Sequence, residues 1–456
     1  MFAEKKIVLF KNVNIKPTQI IVIGFAVIIL IGSILLSFPI ASRNCERIGF
    51  INAFFTATSA VCVTGLVVVD TYTHWSLFGQ IVILLLIQVG GLGFMTMATL
   101  FSFILRRRIS LKERLIIVES LNQYSLQGVI RLVKRVLFGT LIFESIGVLF
   151  LSLRFIRDFG IISGIYKGIF HAISAFCNAG FDVMGQYGQF TSLTAYSGDI
   201  TVNLVVIVLI IIGGLGFTVW DDVYKAKSFK ALHLHSKLVL FITGILLLFG
   251  FVSFFLIEFN NTGTIGSLNV KDKTMMSFFQ SVTTRTAGFN TINFSSMRNA
   301  SVFITILLMF VGGSPGSTAG GIKTTTMGVL MFTAISVIKG RQDTEMFRRR
   351  ISYTAVTRAF TITLFGALIV SFATITLTTF ENVSLVEALF ESASAFGTVG
   401  LSMGITPDLG LIGKITLIVT MFIGRVGVLT MALAFLAKSQ DKDNTYRYRQ
   451  EKVMVG

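Results

Sequence analysis

The sequence predicts an all-α polytopic membrane protein in which four span–half-helix–loop–span repeats surround a pseudo-fourfold axis, with eight transmembrane helices in all. Three observations carry this expectation: long uncharged stretches, an alternation of basic and non-basic gaps between them, and one short pattern that occurs four times.

Hydrophobic residues make up 53% of the chain and charged residues 13%, and the mean hydropathy is +0.80. A soluble domain carries about 25% charged residues, so this chain belongs in lipid. Residues 20–41, 77–105, 201–220, 238–257 and 359–380 hold no charge at all, and each is long enough to cross a hydrocarbon core of ~30 Å. The first stretch runs too long for a cleavable signal and no small-residue cleavage pattern follows it, so it is read as the first span. The formal charge of +17 is unevenly placed. Lys and Arg gather in residues 5–16, 106–135, 225–237 and 339–350 and in the tail after Lys438, while the intervening gaps are poorer in them. The positive-inside rule then puts those five segments, and both termini, in the cytoplasm of a multi-pass cell-membrane protein. The excess charge is a topology signal, and a nucleic-acid partner is not expected. Cys45, Cys62 and Cys177 offer neither a disulfide framework nor metal-ligand spacing.

The repeat organises the rest. Residues 55–65 (FTATSAVCVTG), 170–180 (FHAISAFCNAG), 278–288 (FFQSVTTRTAG) and 390–400 (FESASAFGTVG) each start on Phe and end on Gly, with mostly small or polar residues between. Each follows one apolar stretch and precedes another. The first helices of the four units are 20–41, 136–153 (with Glu144 inside), 238–257 and 359–380. The second helices are 77–105, 201–220, 301–338 (interrupted) and 415–437 (with Arg425 inside). The chain is thus one transmembrane domain, 1–456, with repeats near 18–108, 134–227, 237–340 and 357–438 and a cytoplasmic tail at 439–456. The second helices share a glycine feature, VGGLG from Val89, IGGLG from Ile212, VGGSPG from Val311 and IGRVG from Ile423, which lets helices approach closely around an axis.

Non-helical backbone at membrane depth is tolerated only inside protein or along a watery cavity. Four equivalent loops around one axis supply such a cavity, and their free carbonyls can replace the hydration shell of a monovalent cation. Glycine serves this because aiming alternate carbonyls at one axis calls for positive φ. The carboxyl end of each half-helix adds partial negative charge there. The candidate carbonyls belong to Val63, Thr64 and Gly65; Asn178, Ala179 and Gly180; Thr286, Ala287 and Gly288; and Thr398, Val399 and Gly400. No Asp or Glu recurs across the four copies, which favours a weakly hydrated monovalent ion over a divalent one.

At these residues the chain resembles the Trk/Ktr/HKT superfamily of K⁺ transporters, most closely the membrane pore subunit of bacterial Ktr systems. The likeness covers nearly the whole sequence and includes Gly65, Gly180, Gly288 and Gly400. Some plant HKT relatives with Na⁺ preference carry Ser at the first of these positions, so Gly65 implies K⁺ permeation. The short segment before the first span, where Trk subunits usually carry two further helices, implies the Ktr type. The resemblance further implies a homodimer that docks on a cytosolic ring of nucleotide-binding (RCK-type) subunits, K⁺ as the permeant ion and Na⁺ as a candidate activator. No cofactor is expected on this chain. Arg285, just before the third loop glycine segment, departs from the other copies and leaves the carbonyl register of that copy open.

Within 301–338 lies the run Gly312, Gly313, Ser314, Pro315, Gly316, Ser317, Thr318, Ala319, Gly320, Gly321. Proline removes a helix donor and the glycines disfavour helix further, so an irregular loop is expected in mid-membrane, below the filter. Arg425 is its expected partner, because a guanidinium in a span faces a cavity or a hydrogen-bonding group, and charge paired with a broken helix marks ion paths. The plainer reading is a passive kink with Arg425 pinning two helices. The resemblance implies that loop and arginine are the gate. Residues 316–324 (GSTAGGIKT) miss a phosphate-binding loop by one residue and lack its strand-to-helix setting; Lys323 is expected to cap the loop or face a cytoplasmic vestibule. His171, His233 and His235 match no metal spacing. Glu144 and Glu391 are buried by position, either ligands for a coupling cation or, more commonly, partners of a helix end or a base. Two rivals remain for function: a Na⁺- or H⁺-coupled symporter with alternating access, which needs the same filter, and an intramembrane enzyme, for which no cluster of acids, His or a nucleophile is found.

Overall fold

The computed structural model describes residues 17–105, 109–120, 128–435 and 451. Lys5, Lys6, Lys11, Lys16, Arg106, Arg107, Arg108 and the basic tail with Lys438, Lys442, Arg447 and Arg449 lie outside the described residues.

Four long helices, Pro17–Ser37, Val129–Phe159, Leu234–Glu258 and Tyr353–Phe380, are long and apolar enough to cross a membrane. Their outward faces carry exposed Val27, Leu30, Phe138, Leu141, Leu248, Leu368 and Phe372. In water that surface would be a liability, and in lipid it is the solvated face. The second of them extends past the expected 136–153 at both ends, because its flanking Arg131, Lys134 and Arg157 can reach the interface on long apolar stems.

Each long helix is followed by a short one: Phe50–Cys62, Ile161–Phe176, Val270–Thr283 and Leu385–Gly397. The fourth starts in a capping box, with Ser384 and Glu387 exchanging side-chain and backbone hydrogen bonds. Phe55, Phe170, Phe279 and Phe390 anchor these helices in the core with no exposed surface. The third anchor is Phe279, one residue later than the Phe278 that the repeat pattern selected. Phe278 is only partly buried.

An apolar helix comes next in each unit: Leu77–Leu92, Ile200–Gly214, Asn299–Phe310 and Leu411–Val426. Here the structure corrects the expectation. Residues 77–105, 201–220 and 415–437 are not continuous helices. They turn by 100°, 95° and 94° into Phe94–Ile104, Phe217–Ala226 and Val428–Phe435. The turning residues are Gly93, Gly216 and Gly427, at φ of +80°, +89° and +93°. A left-handed residue at the end of a helix releases the chain from the helical direction, and glycine does so without a steric cost. In the third unit the break is longer, 311–323, before helix Thr324–Ile338. A two-residue hairpin, Glu345–Met346 with Arg349–Arg350, is the only sheet among the described residues.

Candidate functional site: a ring of four backbone segments

The four loop segments meet. A β-carbon placed on Gly65 would stand 3.3 Å from the Cα of Gly180, one on Gly180 2.6 Å from the Cα of Gly288, one on Gly288 3.5 Å from the Cα of Gly400, and one on Gly400 2.9 Å from the Cα of Gly65. The circuit closes in chain order. In the same positions each glycine faces the carbonyl oxygen of the middle residue of the next segment: Gly65 that of Ala179, Gly180 that of Ala287, Gly288 that of Val399, and Gly400 that of Thr64. Those carbonyl oxygens therefore lie where neighbouring segments meet, and the side chains of Thr64, Ala179, Ala287 and Val399 are fully buried.

One backbone pattern repeats in every segment. Val63, Asn178, Thr286 and Thr398 lie in the left-handed region, at φ of 56°, 59°, 65° and 50°, and the glycines two residues on are at 97°, 68°, 76° and 87°. The same Ser/Thr position of each short helix holds the segment. The amides of Thr64, Ala179, Ala287 and Val399 donate to the carbonyls of Ser59, Ser174, Thr283 and Ser394 at 2.8, 2.8, 3.0 and 2.8 Å. Their hydroxyls finish the job in two ways. Ser59 and Ser394 accept from the amides of Gly65 and Gly400 at 3.0 and 3.1 Å. Ser174 donates to the carbonyl of Phe181 at 2.7 Å, and Thr283 to that of Phe289. This resolves the register at Arg285. Counted from the glycine, the third segment matches the others; counted from Phe279 and Thr283, it is one residue shorter. The missing residue falls between Thr283 and Thr286, beside Arg285.

The ring separates two cavities. The outer one, about 490 Å³, is floored by Gly65, Gly180, Gly288 and Gly400. Asp182 lines it, its Oδ1 accepting from the Met184 amide at 2.9 Å. The inner cavity, about 230 Å³, is lined by Arg425, Lys323, Glu119, Ser317 and Gly427 among others.

Loop 311–323 lies between the ring and the inner cavity. Val311 and Ile322 pair in a parallel bridge. Ser314 and Thr318 donate their amides to the carbonyls of Gly214 and Gly213 at 3.0 and 3.2 Å, and Gly316 accepts from the Phe217 amide at 2.8 Å. Gly321 donates to the Gly424 carbonyl at 3.2 Å. At Gly320 a β-carbon would stand 2.7 Å from the Thr398 methyl, so the loop lies against the base of the fourth segment. The Arg425 guanidinium donates to the Thr318 carbonyl in the loop and to the Gly90 and Gly91 carbonyls at the end of helix Leu77–Leu92. It holds the loop and pins a helix at once. Gly312, Gly313, Pro315 and Ala319 complete the loop, and Lys323 both caps it, donating to the Ala319 carbonyl at 2.6 Å, and lines the inner cavity. Arg285 reaches the carbonyls of Thr243 and Gly312 at 3.4 Å, touching the loop's first turn from the other side.

The Gly-Gly features pack against the short helices. A β-carbon on Gly90, Gly213 or Gly424 would strike the carbonyl oxygen of Val61, Phe176 or Phe396, each at the end of a short helix. Glu144 and Glu391 take partners the sequence did not suggest. Glu144 accepts from the Gln88 amide at 3.1 and 3.2 Å, and Glu391 from the hydroxyls of Ser402 and Thr406. His171 bonds the Lys167 carbonyl at 2.7 Å, and no group of three His, Cys, Asp or Glu residues could hold a metal among the described residues. The Ser/Thr holders were legible as the serine that recurs in three copies. The turning glycines Gly93, Gly216 and Gly427 are the last residues of VGGLG, IGGLG and IGRVG, a shared position that the continuous apolar runs masked.

A chain of long apolar helices that encloses a ring of four backbone segments between two cavities has the organisation of a membrane transport protein. Residues 8–446 match the family described as TrkH, cation transport protein, and the chain belongs to that family. It is a multi-pass membrane transporter of cations and not an enzyme. Among its relatives, the Ktr system potassium uptake protein B of Bacillus subtilis (strain 168) is 45% identical over 448 residues, covering 98% of both chains. The potassium/sodium uptake protein NtpJ of Enterococcus hirae is 42% identical over 447 residues, covering 97% of this chain and 98% of the relative. In fold, the crystal structure of the potassium transporter TrkH from Vibrio parahaemolyticus matches with a TM-score of 0.73 over 93% of this chain and 86% of that one, at 19% identity.

Proposed function

We propose that this chain takes up K⁺ through a selectivity filter made by the backbone carbonyls of 63–65, 178–180, 286–288 and 398–400, gated from below by loop 312–321 and Arg425. The observation that carries the reading is the closed circuit of four segments with one shared φ pattern, the middle carbonyl of each lying against the glycine of its neighbour. Such a ring can exchange water oxygens for carbonyl oxygens around a weakly hydrated ion. The names of the relatives supply the ions to compare, K⁺ for one and K⁺ with Na⁺ for the other.

In this reading the four long helices, the three turned helices and the helix interrupted at 311–323 make eight spans in four repeats, with both termini in the cytoplasm. The working unit in this reading is a homodimer on a separate cytosolic nucleotide-binding ring, with Na⁺ as a candidate activator; the name of a relative as part of a Ktr system supports a partner protein and no more. Ion flux into proteoliposomes holding the purified chain tests the core of the proposal. We expect K⁺ to pass in preference to Na⁺ and divalent cations to be excluded. Equal passage of K⁺ and Mg²⁺ would remove the carbonyl filter.

A further inference from the structure

Above the ring lies a second tier at a fixed register. Two residues beyond the four glycines stand Val67, Asp182, Asn290 and Ser402, and all four line the outer cavity. Three of them carry side-chain oxygens. Among the described residues, Asp182 is the only acidic one lining that cavity, and no Lys or Arg lines it. Nor does Asp182 have a salt-bridge partner among the described residues. The charged groups near it are already engaged. Lys167 donates to the Val183 carbonyl at 2.5 Å and sits over the rings of Tyr72 and Phe159. The Asp70 carboxylate accepts from the amides of Thr73 and Phe190 at 2.7 and 3.0 Å.

We propose that this tier is an outer binding site for a monovalent alkali cation, with Asp182 as its one carboxylate and Asn290 and Ser402 as neutral oxygen ligands. The inference rests on the reading of the ring as a filter. A cation entering the cavity meets one carboxylate, in no ion pair among the described residues, two residues beyond the ring glycines. Low-dielectric walls focus that field and raise the local cation concentration. The tier would hold the ion while part of its water is exchanged, and selectivity would stay with the ring.

A structural role competes with this one. Asp182 Oδ1 accepts from the Met184 amide at 2.9 Å, closing a tight turn. Asparagine keeps that acceptor and removes only the charge, so Asp182→Asn separates the two. K⁺ uptake into proteoliposomes, measured against external K⁺, should show a half-saturating concentration raised about three- to tenfold in Asp182→Asn, with the K⁺/Na⁺ preference retained. Moving the carboxylate within the tier, in the double variant Asp182→Asn with Asn290→Asp, should bring it back toward the starting value. An unchanged half-saturation in Asp182→Asn, with a rise only in Asp182→Ala, would assign Asp182 to the turn and overturn the site. Failure of the filter itself would appear elsewhere, as an unchanged K⁺/Na⁺ ratio in Gly65→Ser.

Discussion

Each ring segment is held by its own short helix. The Ser59 and Ser394 hydroxyls take the amides of Gly65 and Gly400 at 3.0 and 3.1 Å, the first bond buried and the second partly so. An unsatisfied buried donor costs about 1–3 kcal/mol. Ser394→Ala should therefore loosen the fourth segment and lower the K⁺/Na⁺ flux ratio, while Ser394→Thr, which keeps the hydroxyl, should preserve most of it. A ratio unchanged in Ser394→Ala would mean that this bond does not aim the carbonyls. At this scale the glycines were legible in the sequence because positive φ has a residue type that suits it. The left-handed Val63, Asn178, Thr286 and Thr398 were not, since non-glycine residues enter that region only when surrounding structure forces them. The third segment was misaligned on its helix side by one residue. Two adjacent phenylalanines, Phe278 and Phe279, offered the same pattern, and only burial distinguishes them.

Among the elements, the broken helices and the loop decide what can move. Gly90 and Gly93 stand three residues apart and make opposite predictions. A β-carbon on Gly93 meets nothing within 4 Å, so Gly93→Ala should cost only the strain of its positive φ, about 1–3 kcal/mol. On Gly90 it strikes the Val61 carbonyl, and Gly90→Ala should leave little folded protein. Thermal melting and size-exclusion yield in detergent would show the contrast; equal losses would contradict the packing described. The loop carries the gate prediction. Arg425 donates to Thr318 as well as to Gly90 and Gly91, and charge-assisted bonds are worth about 1.5–3 kcal/mol each. Shortening 312–321 should raise K⁺ flux per folded molecule, and Arg425→Ala should do so too. Intact folding with flux unchanged in both would make the loop a kink. The interruption at 311–323 was legible from Pro315 and its flanking glycines. The bends at Gly93, Gly216 and Gly427 were not, because an apolar run reads as continuous helix whether or not one glycine turns it.

For the molecule as a whole, composition and charge placement sufficed for a membrane protein, since neither depends on tertiary contacts. The partners of Glu144 and Glu391 depend on which helices meet, and so appeared only in the structure. Closure of the ring is likewise a property of the assembled whole, and it holds the central claim. At Gly65, φ is +97° and a β-carbon would strike the Ala179 carbonyl oxygen of the neighbouring segment. Serine there both strains its own backbone and displaces a carbonyl in the next quarter. The most direct test is the K⁺/Na⁺ permeability ratio of Gly65→Ser in proteoliposomes, taken per correctly folded molecule. The account predicts a clear fall in that ratio with transport retained; a well-folded variant whose ratio equals that of the unaltered chain would contradict it.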